Sequence, residues 1–259
     1  LAFIYNLTNA LKVFNPALPA LGISYPLGSL FTESPWNTMS GFSIFYKPEI
    51  LGLGYLVPSD VLFSIWFFTM AEWVVRPFAK MAGYTPSGFP FMAQQAQGAF
   101  MLLAVYFLYQ SRRRLWEVVQ KATGSAPHVD DSTEPLPFAV SFWVALAGMI
   151  IVFTMPMLFG VAWWMSVMYF GIMFAILLVY CRNRAEMGFP VVWGYPLYAQ
   201  RSSMINFLGS AAFLPGGDSQ SFTLLTMFSW LQRSVNQAIT STGVEAFVSA
   251  HRLGQNRRT

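Results

Sequence analysis

Seven side chains in this sequence have the type and placement to do chemistry in an apolar setting: the carboxylates of Asp60, Glu72 and Glu186, the guanidinium of Arg184, and the amides of Gln94, Gln95 and Gln97. An ionisable group inside a lipid-embedded helix costs roughly 3 kcal/mol on insertion scales unless it is partnered or wetted, so each one asks for a role. Asp60 is suited to bind a proton or a cation at the mouth of a helix, or simply to complement a helix start. Glu72 either faces a pathway or pairs with Arg76 one helical turn on. Asp60 and Glu72 lie twelve residues apart, about 120° around a helix of 3.6 residues per turn, so they do not share a face. The glutamines either line a polar cavity or hydrogen-bond a neighbouring helix. Arg184 and Glu186 follow a long apolar run, where they either grip an anionic substrate or mark the cytoplasmic end of a helix.

Around these residues the motifs of known catalysis are missing. There is no HExxH, GxSxG, Walker or GxGxxG pattern, and no nucleophile stands at a workable spacing from a base. No enzyme is therefore expected. The single Cys181 has no second cysteine to bond, and His128 and His251 have no partner at metal-ligand spacing. No cofactor and no metal is expected. The net charge of +4 and a pI near 9.3 would hint at nucleic acid in a soluble domain, but here Lys and Arg gather at the ends of apolar segments. That is how topology signals are distributed, so nucleic acid is not expected as a partner.

The elements that must position these groups follow from composition. Of 259 residues 55% are hydrophobic and only 10% charged, against about a quarter charged in soluble domains, and mean hydropathy is +0.48. Residues 136–180 contain no Asp, Glu, Lys, Arg or His at all, more than twice the roughly 20 residues that cross a bilayer as a helix. They read as two spans, C (136–159) and D (161–181), with a break near Pro156 and Gly160. Pro58, Ser59 and Asp60 open span A (59–80), and residues 91–110 form span B, which ends on Arg112, Arg113 and Arg114. With those arginines in the cytoplasm, Arg182 and Arg184 fall on the same side after two more crossings. Arg76 and Lys80 then lie outside, a mild departure from the rule that Glu72 softens.

The remaining segments are less regular. Residues 1–36 read as an interfacial helix and a Pro-rich loop, and 37–57 as a broken or re-entrant segment interrupted by Gly and Pro. With spans A and B it makes a region of 37–122. A hydrophilic linker occupies 123–137, the C–D hairpin 138–187, and residues 188–259 hold an aromatic stretch, two short apolar segments (203–214 and 221–231) and a polar cytoplasmic tail. The short pair flanks Pro215, Gly216, Gly217 and Asp218, the pattern of a re-entrant hairpin or of two amphipathic helices. The fold class expected is all-α, a polytopic transmembrane bundle with about four full spans plus broken or re-entrant segments.

Three stretches carry a resemblance: Ser34-Pro35-Trp36-Asn37, the run from Gly52 through Pro58-Ser59-Asp60 to Phe68, and Arg182-Asn183-Arg184-Ala185-Glu186-Met187-Gly188-Phe189-Pro190. Together with the aromatic–Arg patch of Trp230, Leu231, Gln232 and Arg233, they resemble a family of large bacterial polytopic membrane proteins of unknown function. In that family such stretches lie late in a chain more than twice this length, so the resemblance implies further spans before Leu1. Members look distantly similar to oligopeptide transporters, which implies translocation driven by an ion gradient, in the bacterial inner membrane. It assigns no substrate-binding residue.

Two functions follow as expectations. One is a secondary transporter, or part of one, for a small or peptide-like solute, using the interrupted segments to hold substrate near mid-membrane. The other is a non-catalytic subunit of a larger membrane-embedded, energy-transducing complex. The expected partners are the lipid bilayer, other membrane subunits and the rest of a longer chain.

Overall fold

A computed structural model describes residues 2–20, 22–125, 129–132, 134–187, 200–213, 220–228 and 234–254. The chain divides into two compact units, Leu1–Met92 and Ala93–Thr259. Apart from one two-stranded pairing, the described residues are all-α.

The first unit begins with α1 (Ala2–Phe14), whose Asn9 side chain accepts a hydrogen bond from the Gly22 amide at 2.8 Å, while the Tyr5 hydroxyl donates to the Gly22 carbonyl. The Pro-rich loop that follows is structured by pairing. β1 (Ser24–Pro26) runs antiparallel to β2 (Ser43–Phe45), with Tyr25 opposite Ile44. That small sheet has no counterpart in the sequence reading, because three-residue strands carry too little alternation to register. Between the strands the backbone passes close to itself: a Cβ on Gly28 would sit 1.7 Å from the Ser40 carbonyl oxygen, so only glycine fits there. The interrupted segment 37–57 resolves into the 3-10 turn Trp36–Met39, β2 and the seven-residue helix α2 (Pro48–Gly54).

α3 (Ser59–Met81) follows Pro58, whose ring pre-sets the backbone ahead of the helix, and it places Asp60 in the first turn, where the helix dipole favours a negative charge. The 3-10 turn Trp36–Met39 docks against it, with Lys80 donating to Asn37 Oδ1 at 2.7 Å, and Phe42 meets Trp73 edge-on at 5.3 Å.

The second unit opens with α4 (Met92–Ala122), 31 residues and so about 46 Å long. The hairpin beyond it is α5 (Phe138–Leu158) and α6 (Trp163–Met187). Its break falls where Pro and Gly place it: Gly160 adopts φ +92° and the Val161 amide closes back onto the Pro156 carbonyl at 3.1 Å. Across the hairpin Ser166 Oγ donates to the Phe153 carbonyl at 2.7 Å, and the Phe153 ring meets Phe170 and Phe174 edge-on.

α6 is the axis of this unit. Met165, Tyr169, Ile172, Ile176 and Val179 recur at alternating steps of four and three residues, one face of a helix, and are 2, 0, 7, 0 and 0% exposed. Against that face pack α7 (Gln200–Leu208), the 3-10 turn Ser210–Phe213, α8 (Gln220–Met227) and α9 (Ser234–Arg252). Met204, Phe213 and Leu225 complete the core. The short apolar pair thus packs on α6, while its Pro-Gly-Gly-Asp turn, the aromatic stretch of 188–199, His128 and the Trp230–Arg233 patch lie outside the described residues.

Among the described residues three helices are long and apolar enough to cross a membrane: Ser59–Met81, Phe138–Leu158 and Trp163–Glu186. The helix expected as span B forms at full length, but it does not join these three. Gln97 and Gln110 bracket only residues 98–109 without a strongly polar side chain, about 18 Å of helix against some 30 Å of hydrocarbon.

Candidate functional site

On α3, Asp60 is exposed in the first turn, and its backbone carbonyl accepts from Ser64 Oγ at 2.8 Å. Glu72, twelve residues on, forms an ion pair with Arg76 at 2.5 Å, with side chains 17 and 25% exposed. The Arg76 guanidinium also lies 4.1 Å above the Trp73 ring. Glu72 borders a shallow cavity of about 350 Å³ formed with Ser64, Ile65, Phe68, Thr69 and Met92. The Thr69 hydroxyl is turned back to the Ile65 carbonyl at 2.7 Å, so its proton is already used within the helix. The pairing with Arg76, one turn on, fixes the Glu72 side chain along its own helix face.

In the second unit the amides separate. Gln94 and Gln95 are exposed, whereas Gln97 is 3% exposed. Gln97 Nε2 donates to Ser202 Oγ at 3.0 Å, and its Oε1 accepts from Asn206 Nδ2 at 2.8 Å, joining α4 to α7. Beside them on α7, Gln200 and Ser203 are fully buried, and Gln200 Nε2, Gln200 Oε1 and Ser203 Oγ have no hydrogen-bond partner among the described residues. Gln97, Gln200 and Ser203 are buried, Ser202 and Asn206 are exposed, and none of the five is charged. The sequence reading named Gln97 but not its partners. The signal was in the spacing of Ser202 and Asn206, one turn apart, and of Gln200 and Ser203, three apart, in a segment otherwise taken for its apolar residues.

Arg184 and Glu186 do not come together. Arg184 Nε donates to Glu245 Oε2 of α9 at 2.7 Å, and Glu186 pairs with Arg182 on its own helix. Glu245 was read as part of a polar tail. It lies instead on a helix whose Ser241, Val244, Glu245 and Val248 follow helical spacing and are shielded from solvent. The Arg182 guanidinium lies 5.6 Å from the Phe107 ring of α4, and Arg114 lies over Phe138 at the start of α5. Among the described residues no three of His, Cys, Asp and Glu gather as metal ligands.

Three helices of spanning length among the described residues place the chain in the class of helical membrane proteins. The sequence profile of a family of unknown function, DUF6785, matches residues 1–259, and the chain belongs to that family. No curated protein and no solved structure matches it.

Proposed function

We propose that the chain is part of a secondary transporter that moves a small polar or peptide-like solute across a membrane, the bacterial inner membrane being the expected one. The observation that carries this reading is the orphaned pair on α7. A buried polar atom without a partner costs about 1–3 kcal/mol, and Gln200 presents both a donor and an acceptor in that state. The occupant that relieves both is a neutral group which accepts and donates together, as an amide or a hydroxyl does. Transporters hold such groups on interrupted, short helical segments, and α7 is a helix of nine residues packed on α6.

The test is Gln200→Leu in the full chain reconstituted into proteoliposomes. Radiolabelled amino acids, dipeptides and hexoses are offered under an imposed proton or sodium gradient. Leu removes the unpaired atoms at similar volume, so stability in detergent should hold or rise while accumulation of the transported probe falls by about tenfold or more. Accumulation unchanged in the variant, or none of the probes accumulated by the wild type, overturns the reading.

A second reading, a non-catalytic subunit of a larger membrane-embedded energy-transducing complex, is favoured by the bare surfaces of α3 and α5. Each buries only 6% of its most apolar window, and Tyr55 and Leu56, outside the spans, are 93 and 81% exposed. Intact mass in mild detergent separates the two: a stoichiometric partner supports the subunit, and a chain that runs alone yet accumulates solute supports the transporter.

A further inference from the structure

The last two turns of α3 and the loop after them enclose a cavity of about 250 Å³, bordered by Thr38, Arg76, Lys80, Tyr84 and Thr85. Two cations one turn apart share it, an arrangement that repels by a few tenths of a kcal/mol on an exposed helix and more where water is restricted. Neither cation is fully met. Arg76 uses Nη2 on Glu72, but its Nε is buried with no hydrogen-bond partner among the described residues. Lys80 donates to the neutral Asn37 side chain and has no acidic partner among the described residues. With Glu72 counted, the wall keeps a net charge of +1, and the hydroxyls of Tyr84 and Thr85 add donors without a charge.

We propose that this cavity binds an anionic phosphate-bearing group. A phosphate oxygen accepts several hydrogen bonds at once, and a guanidinium N–H beside an ammonium is the pairing that holds phosphates elsewhere in proteins. The cavity opens at the C-terminal end of a helix of spanning length, the level at which lipid headgroups lie, so the group comes either from an anionic phospholipid or from a free phosphate. The charges that depart from the cytoplasmic preference of Lys and Arg then have a reason to be there. This site belongs to the first unit and stands whether or not the chain transports a solute.

The test uses the full chain. Native mass spectrometry from nanodiscs of phosphatidylcholine with one fifth phosphatidylglycerol reads retained anionic lipid, and titration calorimetry in detergent with inorganic phosphate reads the free anion. Lys80→Gln keeps a donor for Asn37 and removes the charge, and Thr85→Val removes a hydroxyl at an exposed position. In Lys80→Gln, retention or affinity should fall by about tenfold, with a smaller fall in Thr85→Val and an unchanged melting temperature in both. Loss of phosphatidylglycerol retention alone assigns the site to lipid, and loss of phosphate binding alone assigns it to a free anion. Neither probe binding the wild type, or both binding Lys80→Gln as well as wild type, overturns the proposal.

Discussion

The two units treat polar groups in opposite ways. In Leu1–Met92 the spanning helix carries charged groups that are met locally: Glu72 by Arg76 one turn on, and Lys80 by the Asn37 side chain. In Ala93–Thr259 the buried polar side chains among the described residues are neutral: Gln97, Ser166, Gln200, Ser203 and Ser241. Burying a neutral amide costs a few kcal/mol, and burying an unpaired charge costs several times that. Charge is therefore held in partly open, paired positions, Glu72 with Arg76 and Arg184 with Glu245, whereas the buried face of α6 carries no charged side chain. The lesson is that ionisable residues in this chain stand where a partner meets them, and the fully buried polar positions hold amides and hydroxyls.

Mutations sharpen this contrast because they should damage one unit and spare the other. The largest effect is expected for Phe213→Ala, which empties the position stacked on Trp164 at 5.6 Å in the core of the second unit. Removing a fully buried aromatic costs about 3–5 kcal/mol. Denaturant titration in micelles, followed by tryptophan fluorescence, reads it, and a loss below about 1 kcal/mol would show that α7 and its 3-10 turn are not seated on α6. Gly28→Ala comes next, at about 3 kcal/mol, because the new Cβ meets backbone atoms of Ser40 which cannot swing aside. Its damage should show as faster proteolysis within residues 15–57 while the hairpin stays protected. Equal damage to both units would break the division drawn here.

A smaller effect attends the ion pair that ties α9 to α6. Glu245 is 38% exposed on its side chain and Arg184 18%, so solvent screens the pair and Arg184→Ala should cost about 1 kcal/mol. The double exchange Arg184→Glu with Glu245→Arg should recover most of that loss. An Arg184 engaged with a substrate anion would not be rescued by the exchange, so uptake in the same variants distinguishes a helix clamp from a binding residue.

How much of this was legible beforehand depended on the length scale of each signal. The hairpin and its break at Pro156 and Gly160 were readable because 45 charge-free residues and two helix-ending residue types leave little choice. The start of α3 at Pro58-Ser59 was readable for the same kind of reason, and so was the pairing of Glu72 with Arg76. The antiparallel strands were not, being three residues long and set by the contact of Gly28 with Ser40, which is non-local. The helix carrying Glu245 was missed because its residues are polar on average, and what buries one of its faces is α6, some sixty residues away in sequence. The neutral cluster was half visible: three glutamines were noted, but which of them turns inward is decided by α7.

The smallest effect expected depends on pH and tests the linker between α4 and α5. Asp131 accepts from the Phe138 amide at the start of α5 at 2.9 Å and from Lys121 at 3.2 Å, while Lys121 also donates to the Val129 carbonyl. The Phe138 amide, with Lys121 behind it, holds the Asp131 carboxyl below the ordinary aspartate value. A carboxyl depressed in the folded state binds its proton less readily there than in the unfolded chain. Its contribution is therefore complete above the ordinary aspartate pKa and disappears as pH falls through the lowered value. Hydrogen-exchange protection of the Phe138 amide, corrected for the intrinsic rate, should stay level from neutral pH down to the ordinary aspartate range and then decline. Asp131→Asn should show part of the same decline at neutral pH, since the amide oxygen can still accept but the charge facing Lys121 is gone. A protection profile flat to the lowest pH, in wild type and variant alike, would mean that α5 starts where Pro137 sets it and that the linker carboxylate adds nothing.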